Sequence, residues 1–183
     1  MREDRGELNT LETGTLETIS VLSAGETDIA RIYEIEREAI SPPWSREALL
    51  SEINREDSFF SVARGELVTC NPEAAAQGES ARDLAVQGFV ILRRMGDEGE
   101  LLQIAVCKTA RRCGIADILL DAALSHAEKC ELKSVFLEVR KSNEAAISLY
   151  KKHGFKTVRL RKDYYNNPLE DAVVMVCRWY GCL

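Results

Sequence analysis

The chain has 183 residues, of which 45% are hydrophobic and 30% charged. Its 24 Lys and Arg are outweighed by 30 Asp and Glu, a formal net charge of -6. These figures suit one globular domain with a real core, exclude collagen-like or wholly disordered chains, and argue against a protein that coats nucleic-acid phosphates.

Met1 to Thr18 carries charges from residue 2 onward and no apolar run, so it reads as a polar extension and not as a signal peptide. A short strand is expected from Ile19 to Leu22. After Thr27-Asp28, residues Ile29, Ile32, Ile35 and Ala39 recur at helical spacing. Ser41-Pro42-Pro43-Trp44 breaks that helix, because the residue before a proline is pushed out of the α region. Ser45 can cap a second helix whose apolar face is Leu49, Leu50 and Ile53. Strand signals follow at Phe59 to Ala63, Leu84 to Leu92 and Leu101 to Val106, with an exposed loop within 71–83. The Leu84 to Leu92 run, interrupted by Gln87, is too short to span a bilayer, so no membrane association is expected. A helix from Ile115 to Lys129 leads to a strand from Ser134 to Val139. A helix from Asn143 to His153 then ends at Gly154, and strands close the chain at Phe155 to Arg161 and Ala172 to Trp179. The order β-α-α-β-β-β-α-β-α-β-β implies one α/β domain over residues 19–183 with a mixed sheet.

The most informative stretch runs from Leu101 to Leu120. A strand ends, a cationic turn containing Lys108, Arg111, Arg112 and Gly114 follows, and a helix begins at once. The first turn of a helix has unpaired N–H groups and a partial positive charge, which together attract a phosphate. Glycine lets a ligand approach the backbone closely. By itself Arg111-x-x-Gly114-x-Ala116 is a weak pattern, and it is neither a Walker loop nor a dinucleotide fingerprint.

Arg111-Arg112-Cys113-Gly114-Ile115-Ala116, preceded by Gln103-Ile104-Ala105-Val106, resembles motif A of the GCN5-related N-acetyltransferases. Leu137-Glu138-Val139-Arg140, Asn143, Leu149-Tyr150 and Gly154-Phe155 are similar to that superfamily's second half. Pro43-Trp44-Ser45, Tyr164-Tyr165 and Glu170-Asp171-Ala172 narrow the likeness to the ribosomal-protein-alanine N-acetyltransferase family. The resemblance implies a mostly antiparallel sheet of about seven strands flanked by four helices. It implies transfer of acetyl from acetyl-CoA, a co-substrate, to the N-terminal alanine of a small-subunit ribosomal protein, with no metal. Ile104, Ala105 and Val106 would offer backbone groups to the pantetheine and thioester. Arg111, Arg112, Cys113, Gly114, Ile115, Ala116 and Asp117 would form the pyrophosphate turn, and Asn143 would touch the cofactor. Glu138 would be the base and Tyr150 the acid that protonates the leaving thiolate. Another amine acceptor, or an acyl-CoA-binding module without turnover, are the competing readings.

Asp117 departs from the family pattern, as a carboxylate set where phosphate should lie. Gln103 departs too, where the family often has Asn. Six cysteines without a C-x-x-C pair, and only His126 and His153, give no zinc pattern; free thiols in a reducing cytoplasm are expected. Cys107 and Cys113 flank the turn, yet direct attack by the amine is what the resemblance implies. Residues 26–57 hold nine acids and four bases, a balance of 4 - 9 = -5. An acidic border built by Glu34, Glu38 and Glu52 would draw in a basic protein N-terminus. The enzyme is expected to be a cytoplasmic monomer without direct nucleic-acid contact.

Overall fold

The computed structural model describes residues 19–65 and 85–179. Strand β1 (Ser20–Ser23) is followed by a 3-10 turn (Glu26–Asp28), helix α1 (Ile29–Ala39) and helix α2 (Arg46–Ile53). Then come β2 (Ser58–Gly65), β3 (Ala85–Met95), β4 (Glu98–Val106), α3 (Ile115–Lys129) and β5 (Ser134–Arg140). Helix α4 (Glu144–Lys152) precedes the closing strands β6 (Lys156–Asn166) and β7 (Leu169–Arg178). This is the expected order of elements. The expected extension 1–18 and the 71–83 loop lie outside the described residues.

Local chemistry sets the boundaries. Ser45 caps α2 by accepting from the Ala48 amide at 3.2 Å, and Asn143 caps α4 by accepting from the Ala146 amide at 3.2 Å. Asn143 therefore stands before α4 and not inside it. Strand β6 runs five residues past the expected Arg161, to Asn166. It is an outer strand, exposed along nearly all its length, so no apolar alternation announces its true end.

The seven strands lie in the order β1-β2-β3-β4-β5-β7-β6. Every neighbouring pair is antiparallel except β4 and β5, which run parallel. Strand β3 is buried almost throughout because both α1 and α3 pack on it, which explains its continuous apolar run. Ile32 and Ile35 of α1 and Leu119, Leu120 and Ala123 of α3 are completely buried. Each large aliphatic side chain among them contributes about 1.5–3 kcal/mol. No helix among the described residues is long and apolar enough to cross a membrane.

The feature that positions the site is the brevity of the β4–β5 pairing. Only Glu98, Gly99 and Glu100 pair, with Ser134, Val135 and Phe136. Beyond that point β4 continues to Val106 and β5 to Arg140, but the two strands no longer bond. The gap leaves one edge of β4 without a strand partner.

Candidate active site

Two cavities open at this gap. The first, of about 640 Å³, is floored by Ile104, Ala105 and Val106 of β4 and walled by the turn before α3 and by α4. The second, of about 440 Å³, lies between the α1–α2 connection, β4, β5 and the Tyr164-Tyr165 pair of β6. Ala39, Ile104, Asn143 and Tyr150 line both cavities, so the two meet at these residues.

The first cavity is bounded by the turn that precedes α3. Gly114 has φ +78° at the N-cap of α3, a left-handed conformation that an L side chain adopts only at a cost. A Cβ there would meet nothing within 4 Å, so the glycine answers to backbone conformation and not to crowding. Arg112 is also left-handed, at φ 68°. Left-handed residues on either side of Cys113 thus turn the chain into α3, whose first residues Ile115 and Ala116 line the cavity with Gly114. The Arg111 Nε donates to the Val106 carbonyl at 3.2 Å, which ties the turn to the end of β4. Ile115 and Ala116 complete the wall. Cys113 does not line the cavity; it is buried, and it is disulfide-bonded, against the expectation of a free thiol. Cys107, Cys130 and Cys177 are free.

Asp117 is not an unopposed charge. It accepts from Lys152 Nζ at 2.5 Å and pairs with His153 Nε2 at 3.0 Å, while His153 Nδ1 lies 2.9 Å from Asp121. Burial pushes the Asp117 carboxyl up, but the bonds from Lys152 and His153 outweigh it and hold it below the usual carboxylate range. The departure from the family pattern therefore serves to clamp α3 to α4, and its charge is answered by neighbours.

Tyr150 is buried at the seam of the two cavities, its ring 5.7 Å from Phe155. Burial, with a smaller contribution from Tyr165, raises its hydroxyl well above the ordinary tyrosine value. The group stays protonated at neutral pH and can act as a donor.

In the second cavity, Glu138 comes from β5 with its side chain 15% exposed, ion-paired to Arg161 of β6. The Tyr164 hydroxyl also bonds to Glu138, which raises the tyrosine. Arg140 fastens the groove's two rims together. Its guanidinium donates to the Ser41 carbonyl at 3.2 Å, the Asn167 carbonyl at 2.9 Å and Glu170 at 3.2 Å, and it covers the Tyr165 ring at 4.2 Å.

The acidic border expected from the two early helices does not take the expected form. Glu52 is buried and paired with Arg93, and Glu34 pairs with Arg31 at 2.8 Å. Neither they nor Glu38 lines the groove, whose acids are Glu100 and Glu138 from the sheet. Glu36 is also withdrawn: it is fully buried, accepting from the Trp44 amide at 2.6 Å and from Gln103 Nε2 at 3.0 Å. Burial pushes its carboxyl up, only partly offset by those two bonds. Gln103 is thus a strut that holds the Pro43-Trp44 segment through Glu36. Sequence reading missed Glu36, Glu100 and Arg161. For Glu100 a signal was available, since it alternates with Leu102 and Ile104 on one face of β4.

Residues 29–155 match the family model described as the acetyltransferase (GNAT) family. The chain is 33% identical over 163 residues to the [ribosomal protein bS18]-alanine N-acetyltransferase of Haemophilus influenzae, covering 87% of this chain and 99% of that one. This chain belongs to the GNAT acetyltransferase family. The acetyltransferase also superposes on the crystal structure of the Escherichia coli ribosomal-protein-S18-alanine N-acetyltransferase, with TM-score 0.73, 27% identity, and 91% and 97% of the two chains covered. Arabidopsis thaliana NAA60, solved in complex with acetyl-CoA, shares the fold at TM-score 0.74 and 21% identity, over 90% of this chain and 100% of that one. The motif-based family expectation and the seven-stranded α/β fold agree with these findings.

Proposed function

We propose that this acetyltransferase moves acetyl from acetyl-CoA to the N-terminal alanine amine of the ribosomal protein bS18, in the cytoplasm, by direct attack of the amine. The observation that carries this reading is the meeting of two cavities at Tyr150 and Ile104, one bounded by the turn before α3 and the other holding Glu100 and Glu138. The names of the relatives supply the acceptor.

The residues present suit acetyl-CoA. The open first turn of α3 and Arg112 answer the charge of a pyrophosphate, and the unpaired edge of Ile104 to Val106 offers backbone groups to an amide-bearing arm. When bound, the co-substrate supplies the activated acetyl group beside Tyr150. On the acceptor side, an α-amino group has a pKa near 8, so one proton must usually be removed at neutral pH. Glu138 accepts that proton, directly or through water. Tyr150 gives its proton to the departing sulfur and recovers one from the newly formed amide nitrogen. Arg140, holding the α1–α2 connection against the β6–β7 hairpin, keeps the groove at peptide width. Two carboxylates in the groove suit a cationic peptide end.

The deciding assay compares three acceptors: a peptide beginning with free alanine, the same peptide with a blocked N-terminus, and spermidine. Turnover confined to the free-alanine peptide supports the proposal. Equal use of the blocked peptide would move the acceptor to a lysine side chain, and preference for spermidine to a polyamine.

A further inference from the structure

We infer that Glu36 is a positioning residue for the acceptor groove and works as an un-ionised acid: it closes a reciprocal acid–amide pair with Gln103 and so fixes the Trp44 amide at the groove's rim. The inference rests on the acceptor reading above and names what holds that rim from within.

Hydrogen-bond bookkeeping is the first argument. Glu36 is fully buried, and both of its donors, the Trp44 amide at 2.6 Å and Gln103 Nε2 at 3.0 Å, go to Oε1. Glu36 Oε2 and Gln103 Oε1 are buried as well, and among the described residues neither has a hydrogen-bond partner. These are the two remaining oxygens of one contact, each on the carbon whose other atom already takes part in it. Two acceptors cannot satisfy each other, and a buried acceptor without a donor is destabilising. One proton on Oε2 serves both. The acid O–H then donates to the amide oxygen while the amide N–H donates to the acid carbonyl.

Charge is the second argument. An ionised Glu36 would be a buried carboxylate with no cation against it, which is costly. It also stands in the last turn of α1, where the partial negative charge of the helix end opposes a carboxylate. The charged groups on the elements packed against α1 are occupied elsewhere. Glu52 of α2 and Arg93 of β3 pair with each other, Asp28 of the 3-10 turn pairs with Arg64, Glu100 of β4 lines the groove, and Lys108 bonds through its amide to Glu38. On α1 itself Arg31 pairs with Glu34 and Arg37 lies over the Tyr33 ring. Burial pushes the Glu36 carboxyl up, the two bonds offset this in part, and no neighbouring charge enters.

The third argument is what the pair holds. Pro42 and Pro43 have no N–H, so Trp44 offers the first amide after them by which the core can grip the connection. Pro42, Pro43, Trp44 and Gln103 all line the groove. On the near side of the two prolines Arg140 holds the Ser41 carbonyl at 3.2 Å. The rim is thus tied at Ser41 by a cation and at Trp44 by a neutral acid. Ionising Glu36 would set two like oxygens against each other and loosen the second tie.

The test compares full-length wild type, Glu36→Gln and Glu36→Ala. The wild-type infrared spectrum at about pH 7 should contain a protonated carboxyl C=O stretch that shifts in D2O and is missing from Glu36→Gln. An acid that stays protonated in the fold keeps a proton the unfolded chain has released, so wild-type stability falls as pH rises above about 4.3, until the folded acid ionises. Glu36→Gln, with N–H in place of O–H, escapes that loss and should melt about 4 °C above wild type at pH 7, the gap closing toward about pH 4. With acetyl-CoA and the free-alanine peptide, Glu36→Ala should raise peptide KM about tenfold, with kcat and the acetyl-CoA Kd near wild type. Glu36→Gln should rescue that KM. Absence of the protonated band, a Glu36→Gln variant that melts below wild type at neutral pH, or a peptide KM that Glu36→Ala leaves unchanged would overturn the inference. If wild type used another amine in place of the alanine peptide, the acceptor reading would fail, and the infrared and melting measurements would still judge Glu36.

Discussion

The two cavities that meet at Tyr150 are built on opposite plans. The cavity proposed for the cofactor takes most of its wall from one stretch of chain between Ile104 and Asp117, with a left-handed glycine in it. The groove proposed for the acceptor draws on the α1–α2 connection, β4, β5 and β6, with side chains held by Arg140 and Arg161. A cavity made of local backbone is encoded in one short motif and tolerates side-chain change around it. A groove made of distant side chains rests on tertiary clamps, and each clamp is a separate point of failure.

The two plans predict separable kinetic faults. The largest effect should fall at the seam: Tyr150→Phe and Glu138→Gln should each cost about 100-fold or more in kcat, while acetyl-CoA binding by calorimetry stays near wild type. Next, Arg140→Ala should raise KM for the peptide about tenfold, on the scale of losing charge-assisted hydrogen bonds, and leave the acetyl-CoA Kd unaltered. A shift in both constants would show that the rims and the cofactor turn are not independent. Gly114→Ala should do the reverse, weakening acetyl-CoA through a strain of about 1–2 kcal/mol and sparing peptide KM. The smallest effect belongs to Asp117→Asn. The Asp117 carboxyl is held below its unfolded value, so its contribution to stability is complete above about pH 4 and fades as pH falls through the folded value. The variant should melt slightly lower at pH 7, with a flatter acid flank of the Tm–pH curve. An unchanged flank would mean that the Lys152 and His153 contacts do not hold α3 to α4 in solution.

Charge placement carries the same lesson. The excess acid of residues 26–57 was open to view in the sequence, and it suggested an anionic rim on the early helices. Folding gives those carboxylates other tasks. Asp28 pairs with Arg64 and Glu52 with Arg93, and buried Glu36 braces Trp44. The groove's negative charge comes from Glu100 and Glu138, in segments whose local balance drew no attention. Net charge over a window records composition and says nothing of which face a side chain takes.

Sequence alone determined the order of elements, the helix α1 from its Ile29, Ile32 and Ile35 spacing, the cap of α2 at Ser45, the family, and the turn at Gly114. Each of these depends on residues within a few positions of one another, where periodicity, capping and backbone strain act. Only the tertiary structure decided where β4 and β5 part, that Arg161 reaches Glu138, that Lys152 and His153 answer Asp117, and that Glu100 lines the same groove as Glu138. Those features join residues tens of positions apart, and their energies come from burial and charge pairing that no local window contains.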